Sequence, residues 1–288
     1  MSAPAQHGYS LSHTEFDVCR EVLGIEEFPV VLRLPSPGST HEERRQLVRS
    51  GVEGLRARDL ADDRGLHPGL ADLLQVSARP AAMVDARVLQ PNGRCFALGA
   101  VRGEAAAVTV ISAEGVRISE SSSYRLAADV AAVAGRSAAG PGESVSVPAE
   151  TLIAVGATAG SDPRRLMDGL VGAGVDARDA HALARMCEGV GGRGQFGAEA
   201  VGSQGGARRR ARRVVAYHDT PNGRYLQLRR AGYGGQEWST ITPCSPAQLS
   251  GQIQELLDEV RGGIRSSAQH PRRIGGNRVD PVQPHHPG

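Results

Sequence analysis

Lysine is absent from this 288-residue sequence, and all 33 basic residues are arginines. Enzymes that form a Schiff base need a lysine, and so does a Walker-type phosphate-binding loop, so both kinds of site are excluded. Aromatic residues are also scarce, at 3% of the chain. The core of the protein must therefore be built mainly from Leu, Val, Ile and Ala.

Membrane signals are missing as well. Residues 1–10 contain no basic segment followed by an apolar one, so they do not resemble a secretory signal peptide. No apolar run approaches the roughly 18 residues that a membrane-spanning helix needs. The formal net charge of +2 is too small to attract the whole molecule to nucleic acid or to a membrane surface. We expect a cytoplasmic protein without membrane insertion, folded as one large domain or two small ones.

Close pairs of cysteines, which zinc and redox sites require, are also missing. We expect each thiol to be free in a reducing compartment and to pack as a small apolar side chain. No HExxH motif, GxSxG elbow or pair of carboxylates indicates catalysis. The sequence thus predicts no enzyme activity, no metal site and no cofactor. The four cysteines are Cys19, Cys95, Cys187 and Cys244.

The first half of the chain predicts helices followed by a β meander. Ser12 and Glu15 have the spacing of a capping box, which predicts the start of a helix. Thr40 and Glu43 repeat that spacing. The Asn-Gly pair at 92–93, between two alternating apolar segments, predicts a hairpin turn. The predicted helices are 13–23, 40–58, 68–78 and 123–134, and the predicted strands are 28–34, 83–89, 94–101, 106–112 and 116–120.

The second half repeats this order. The turn and strand at 91–98 (PNGRCFAL) match those at 221–228 (PNGRYLQL) in sequence. Because the order of elements around them also matches, we predict an internal duplication. The predicted strands are 144–147, 194–200, 213–219, 224–230 and 237–242. One predicted helix begins at Pro148, and three more occupy 162–172, 176–189 and 246–261.

Together these elements predict an α+β fold of two antiparallel meanders related by a pseudo-two-fold axis, with helices packed on them. The predicted domain covers residues 9–261, and its halves lie at about 9–134 and 144–261. Three further segments have too few apolar residues to offset chain entropy, so we predict that they are disordered. These segments are 1–8, the Gly- and Arg-rich 202–211, and the Pro-, Gly-, Arg- and His-rich 262–288.

Residues 192–197 spell GRGQFG, a literal GxGxxG motif. A dinucleotide-binding loop of this type follows a strand and opens a helix, so that the phosphates meet the helix N–H groups. Here the motif follows a predicted helix and leads into a predicted strand. We therefore interpret its glycines as residues that end the helix and allow a tight entry into the strand.

Five of the six residues at 208–213 are arginines, and such a segment can contact nucleic-acid phosphates. No aromatic residues alternate with them for base stacking, so we interpret the run 207–213 as a solvated loop. Nucleic-acid binding through 207–213 stays open as an alternative function. His218 and Asp219 lie at a predicted strand end without a nucleophile, and we interpret 219–223 as a turn.

Three stretches of the chain resemble proteins of the EspG family. The most specific element is GRGQFG followed by a basic loop and an HDTP turn. The resemblance covers about residues 10–261, and the tail lies outside it. The stretches are 15–38 with the helix start at 40–44, then SVSVPA at 144–149, and finally GRGQFG at 192–197 continuing through the arginine run to YHDTP at 217–221 and GRY at 223–225.

The resemblance implies a bent central antiparallel sheet with pseudo-two-fold symmetry and flanking helical bundles. Mycobacterial members of the family bind PE–PPE heterodimers in the cytosol and hand them to the type VII (ESX) secretion machine. The implied function is that of a cytosolic, non-enzymatic chaperone, which shields an apolar helical tip that would otherwise aggregate. The implied partner is a PE–PPE-like pair or another helical-hairpin ESX substrate. An unrecognised small-molecule enzyme is the other alternative that the residues leave open.

In the family, the substrate contacts the central sheet and the C-terminal helical bundle. These parts correspond here to strands within 213–242 and to helices at 162–189 and 246–261. Pleating places Val215 and Tyr217 on one face of their strand, but the sequence does not show which face is buried. Amphipathic aromatic side chains suit half-exposed anchoring positions, so they are the preferred contacts. The candidate partner-binding residues are Val215, Tyr217, Tyr225, Trp238 and Ile241.

Overall fold

One antiparallel sheet of eleven strands runs through this computed structural model, which describes residues 8–202 and 207–268. A separate hairpin is formed by two short strands, β2 and β3. In the described part of the chain the strands are β1 (Gly8–Leu11), β2 (Ala61–Asp62), β3 (Gly65–Leu66), β4 (Ala82–Gln90), β5 (Gly93–Arg102), β6 (Ala105–Ser112), β7 (Gly115–Ser121), β8 (Val145–Pro148), β9 (Gly192–Val201), β10 (Arg208–Arg210), β11 (Val215–Thr220), β12 (Gly223–Ala231) and β13 (Glu237–Pro243). The α-helices are α1 (His13–Val22), α2 (His41–Arg56), α3 (Pro68–Ala78), α4 (Leu126–Ala131), α5 (Ala149–Ala159), α6 (Pro163–Gly172), α7 (Ala177–Met186) and α8 (Pro246–Ala268).

The strand order in the large sheet is β1-β7-β6-β5-β4-β9-β11-β12-β13-β8, and β10 pairs with β9 beyond the end of β11. Each pair of neighbouring strands is antiparallel. The first half runs from β1 through three helices to four meander strands and α4. The second half runs from β8 through three helices to β9, β11, β12, β13 and α8. The predicted α+β class is confirmed, and the internal duplication stays a prediction.

The two Pro-Asn-Gly turns, however, do not occupy equivalent places in the two halves. The turn at 91–93 joins β4 to β5, the first and second strands of their meander. The turn at 221–223 joins β11 to β12, the second and third strands of theirs. The predicted correspondence between 94–101 and 224–230 is therefore wrong, although both segments are strands. Asn-Gly favours a tight reversal wherever a hairpin needs one, so the shared letters do not mark equivalent positions.

Capping boxes open the first two helices, as the sequence predicts. The Ser12 hydroxyl accepts the N–H of Glu15 at 3.1 Å, and the Glu15 carboxylate accepts the N–H of Ser12 at 2.7 Å. Thr40 and Glu43 exchange the same two hydrogen bonds at 3.1 and 3.2 Å. Each exchange satisfies backbone donors that have no partner inside the helix, and so fixes where α1 and α2 begin.

The segment 28–34 is not the predicted strand. A 3-10 turn occupies Val30–Leu32, and the chain on either side of it is irregular. Phe28, Val31 and Leu32 are buried, while Val30 is exposed. Buried positions at i, i+3 and i+4 have the period of a helix, whereas a strand buries every second residue. Because most residues of this segment are apolar, the sequence alone does not show which of them are buried.

Three predicted disordered segments also need correction at their edges. Arg208–Arg210 forms β10 and pairs with β9, so part of 202–211 is ordered by the sheet. The helix α8 continues to Ala268 instead of ending at 261. Gly8 opens β1, which pairs with β7. Residues 1–7, 203–206 and 269–288 lie outside the described part of the chain.

Alternate residues of the central strands pack against α4 and α8. Val84, Ala86 and Val88 of β4 join Phe196 of β9 in a buried apolar cluster with Ile253 of α8. Because side chains alternate along a strand, these residues all point to one side of the sheet. We call this side the covered face.

The opposite side of the sheet carries a helical bundle at each end. The bundle α1–α3 buries Leu98 and Ile111 at one end. The bundle α5–α7 buries Val147, Tyr225 and Ile241 at the other. The predicted helical bundles are thus present on either side of the middle strands, and the middle of this side is exposed to solvent.

Candidate partner-binding surface

A row of side chains crosses the middle strands between the two bundles. Phe96, Arg87, Gln195, Ala216 and Gln227 are successive cross-strand neighbours on β5, β4, β9, β11 and β12. Paired residues point to the same face of a sheet, so the row is continuous. Each of its members is exposed or half-buried.

A second row lies beside the first and completes the surface. Arg94 and Arg193 both pair with Leu89, one from each side. The two rows line an open depression of about 480 Å³. We call the surface formed by these two rows the open face.

The open face is basic around an apolar centre. Its arginines are Arg87, Arg94 and Arg193, and no Asp or Glu is among the described residues that line the depression. Phe96 presents 37% of its surface to solvent beside them. Such a surface can bind a partner by apolar contact and by charge, and His218 also lies along its lining.

The GRGQFG motif lies inside β9, six residues after the end of α7, so the interpretation of its glycines as a helix end is wrong. Its glycines have a packing role instead. A Cβ at Gly194 would lie 2.6 Å from the Tyr217 ring on the covered face, so a side chain there would displace the ring. A Cβ at Gly197 would collide with the guanidinium of Arg210 beside Asp85. The glycines let an aromatic ring and an ion pair approach the backbone of β9, which explains them without a nucleotide.

Two arginines of the run 207–213, Arg208 and Arg210, form ion pairs with carboxylates on neighbouring strands. Arg210 binds the buried carboxylate of Asp85 at 2.8 Å, and Arg208 binds Glu199 at 3.1 Å. The hydrogen bond to Asp85 raises the pKa of the Arg210 guanidinium. These two arginines therefore stabilise β10 on β9, and the interpretation of the run as a solvated loop is wrong for both. The same pairs count against the nucleic-acid alternative, since a bound phosphate would have to compete with them.

Replacing Arg210 with Ala is expected to lower the free energy of unfolding by about 1–2 kcal/mol, because Asp85 keeps only Arg87 as a partner. Arg212→Ala is the matched control, since Arg212 is exposed one residue beyond Ala211. Denaturant unfolding of the two variants should separate them by at least about 1 kcal/mol. Equal stabilities would show that the Arg210–Asp85 pair contributes nothing.

Four of the five candidate contacts are buried inside the protein. Val215, Tyr217 and their neighbours lie under α8, while Tyr225 and Ile241 belong to the core of the bundle α5–α7. The Tyr225 hydroxyl donates to the carbonyl of Pro141 at 3.1 Å. The structure therefore gives these four side chains packing roles and leaves at most 3% of each residue exposed.

Trp238 is the fifth candidate, and it has exposed surface. Its solvent-accessible fraction is 37%. It lies three residues before Ile241 on β13, so it points to the covered face, beyond α8. A partner seated on the open face would not reach it. Contact between Trp238 and a partner stays a prediction for a second surface.

Phe96, Arg87 and Gln195 lie on the open face but are not among the residues predicted from the sequence. The predicted contacts all lie in the second half of the chain, whereas half of the open face comes from β4 and β5. The available signal was the pair of charged residues Asp85 and Arg87 within the mainly apolar segment 83–89, since a core strand has no place for them.

His218 and the cysteines show no sign of reactivity. His218 is buried, with Nε2 at 2.9 Å from the carbonyl oxygen of Met186, and burial lowers its pKa. The four thiols are free. Burial raises the pKa of Cys19 to about 12 and that of Cys187 and Cys244 to about 11, so these thiols stay protonated. Within 8–202 and 207–268, no three His, Cys, Asp or Glu residues come together as metal ligands.

The sheet, its two bundles and its open face define a binding scaffold, and the comparisons assign its family. The model of the EspG family matches residues 12–255, so the chain belongs to the EspG family. Among solved structures it is similar to the Mycobacterium tuberculosis type VII secretion system chaperone EspG5, solved in complex with the PE25–PPE41 dimer. The two share a fold with a TM-score of 0.69 at 16% sequence identity, over 88% of this chain and 96% of that one. No curated protein matches the sequence. None of the described helices has the length and apolar character needed to cross a membrane.

Proposed function

We propose that this protein is a cytosolic, non-catalytic chaperone that binds helical substrates of type VII secretion. The partner is a PE–PPE-like heterodimer or another helical-hairpin substrate, which the chaperone keeps soluble and competent for export. The observation that carries the proposal is the open face, a solvent-exposed strip of sheet between two helical bundles in a member of the EspG family. Binding there would cover an apolar helical tip that aggregates when it is left exposed.

The width of the open face suits a pair of helices. The row from Phe96 to Gln227 crosses five strands, which corresponds to roughly 19 Å at about 4.8 Å per strand. Two packed helices lie about 8–10 Å apart, and each is about 10 Å wide, so a hairpin spans roughly the same distance. A single helix would leave half of the strip uncovered. The geometry therefore favours a helical hairpin as the partner.

Phe96→Ala is expected to weaken binding of a PE–PPE-like heterodimer from the same organism by about 2 kcal/mol, or roughly 30-fold. Phe96 is an exposed aromatic side chain that lines the depression, and truncating it removes an apolar anchor. Isothermal titration calorimetry with the purified heterodimer measures the change. Tyr124→Ala is the matched control, because Tyr124 is 81% exposed and lies outside the depression.

The outcome that contradicts the proposal is equal affinity in the two variants. Trp238 reports the location of binding independently, since it is the only tryptophan and points to the covered face. Binding on the open face alone would leave its fluorescence unchanged when a tryptophan-free substrate binds, whereas the predicted contact at Trp238 would shift it. A saturable shift of that emission, with Phe96→Ala binding normally, would move the docking surface to the β12–β13 part of the covered face.

A further inference from the structure

The arginines of the open face are arranged around apolar side chains. Leu89 lies between Arg94 and Arg193, and Phe96 lies beside Arg87 in the next row. Neighbouring strands are about 4.8 Å apart, so Arg94 and Arg193 are separated by roughly 10 Å at the backbone. Arg87 is two residues from Leu89 along β4, or roughly 7 Å. Three guanidinium groups thus surround one small apolar centre.

These charges are poorly compensated within the protein. In the described part of the chain, no carboxylate forms an ion pair with Arg94 or Arg193. Arg87 shares the buried carboxylate of Asp85 with Arg210 at the edge of the surface. By contrast, Arg208 and Arg213 on the flanking segments each have a carboxylate partner. The positive charge of the open face is therefore available to a ligand.

We propose that the open face selects a helical hairpin whose tip carries acidic residues around an apolar side chain. The inference rests on the proposed function and adds the chemistry of the partner to it. An apolar residue at the tip would contact Leu89 and Phe96, and carboxylates on either side would meet Arg94 and Arg193. Arginine forms two parallel hydrogen bonds with a carboxylate, so the arrangement discriminates charge as well as shape.

A protein tip fits this surface better than a nucleic acid does. The depression lies between two helical bundles, and among the described residues that line it Phe96 is the single exposed aromatic side chain. A single strand of nucleic acid is bound by a basic groove with successive aromatic rings, one for each stacked base. The charge on the open face is also local, because the whole chain has a formal charge of only +2.

The test uses two synthetic helical hairpins that are identical except for the tip, where three Glu in one are replaced by three Gln in the other. Fluorescence anisotropy with the full-length protein at low salt measures both affinities. We expect the acidic hairpin to bind at least about tenfold more tightly, a difference that shrinks as salt is added. In Arg94→Gln/Arg193→Gln the preference should disappear. The control Arg117→Gln/Arg230→Gln removes the same charge from two exposed positions on the opposite side of the sheet and should keep the preference.

Three results would overturn the proposal. These are equal affinities for the two hairpins, a preference that survives in Arg94→Gln/Arg193→Gln, and tighter binding of single-stranded DNA than of the acidic hairpin. The absence of measurable binding by either hairpin at millimolar concentration would overturn it as well. If both hairpins bind equally and Phe96→Ala weakens both, docking on the open face stands and charge selection fails. The heterodimer titration tests the proposed function separately.

Discussion

Asp219→Ala is expected to lower the free energy of unfolding by about 3–5 kcal/mol. Asp219 is the carboxylate partner of Arg224, whose side chain is only 1% exposed. Its two oxygens accept hydrogen bonds from the guanidinium at 2.7 and 2.9 Å. The guanidinium also donates to the carbonyl of Ala134 at 2.7 Å and lies 4.4 Å from the centre of the Tyr217 ring. Without Asp219, a full positive charge stays buried with no negative partner.

The reverse change should cost less. Arg224→Met leaves Asp219, which is 24% exposed and can be hydrated, and fills much of the volume with apolar atoms. Arg230→Met on the same strand is the control, since Arg230 is exposed. Urea unfolding of the three variants should therefore rank Asp219→Ala as the least stable and Arg230→Met as nearly unchanged. A ranking with Asp219→Ala close to Arg230→Met would contradict the role given to the pair.

Phe196→Ala is expected to lower the free energy of unfolding by about 3–5 kcal/mol. Phe196 is completely buried at the centre of the covered face, and its ring centre lies 6.0 Å from that of Tyr217. Helix α8 covers it, so truncation leaves a cavity that the sheet and the helix cannot easily fill. Thermal and urea unfolding measure the loss.

Phe96→Ala is the matched control for this change, because it makes the same substitution on the other face of the sheet. Phe96 is already partly hydrated, so its removal should cost less than about 1 kcal/mol of stability. The two phenylalanines should therefore behave in opposite ways. Phe196→Ala weakens the fold, and Phe96→Ala weakens partner binding in a protein of nearly normal stability. Similar losses of stability in both variants would mean that the faces are wrongly assigned.

Local signals predict most of the elements of this fold. Capping boxes at Ser12 and Thr40 identify the starts of α1 and α2, because they satisfy backbone donors within a few residues. Asn-Gly pairs identify two hairpins for a similarly local reason. The predictions fail where the burial of a segment depends on residues far away in the sequence. The segment 28–34 has a composition typical of a strand, but its residues that are buried against the bundle α1–α3 have the spacing of a helix.

The location of the site depends on information that lies further away in the sequence. Alternation along β11 shows that Val215 and Tyr217 share a face, but only α8, which begins some thirty residues later, determines that this face is covered. The same limit applies to Tyr225 and Ile241, which are buried by helices that precede them in the chain. The open face combines residues near 90 and near 195 because β4 pairs with β9. No local pattern contains that pairing.

The pairing of β4 with β9 also determines what happens to either half on its own. These strands have nine and ten residues, and each would become a long unpaired edge if the chain were divided near residue 140. An edge of that length, with apolar residues on the side that α8 covers, is a template for another strand. A separated half should therefore recruit a second copy of itself or aggregate. A single chain that contains both halves prevents this, because β4 and β9 are made together and pair with each other.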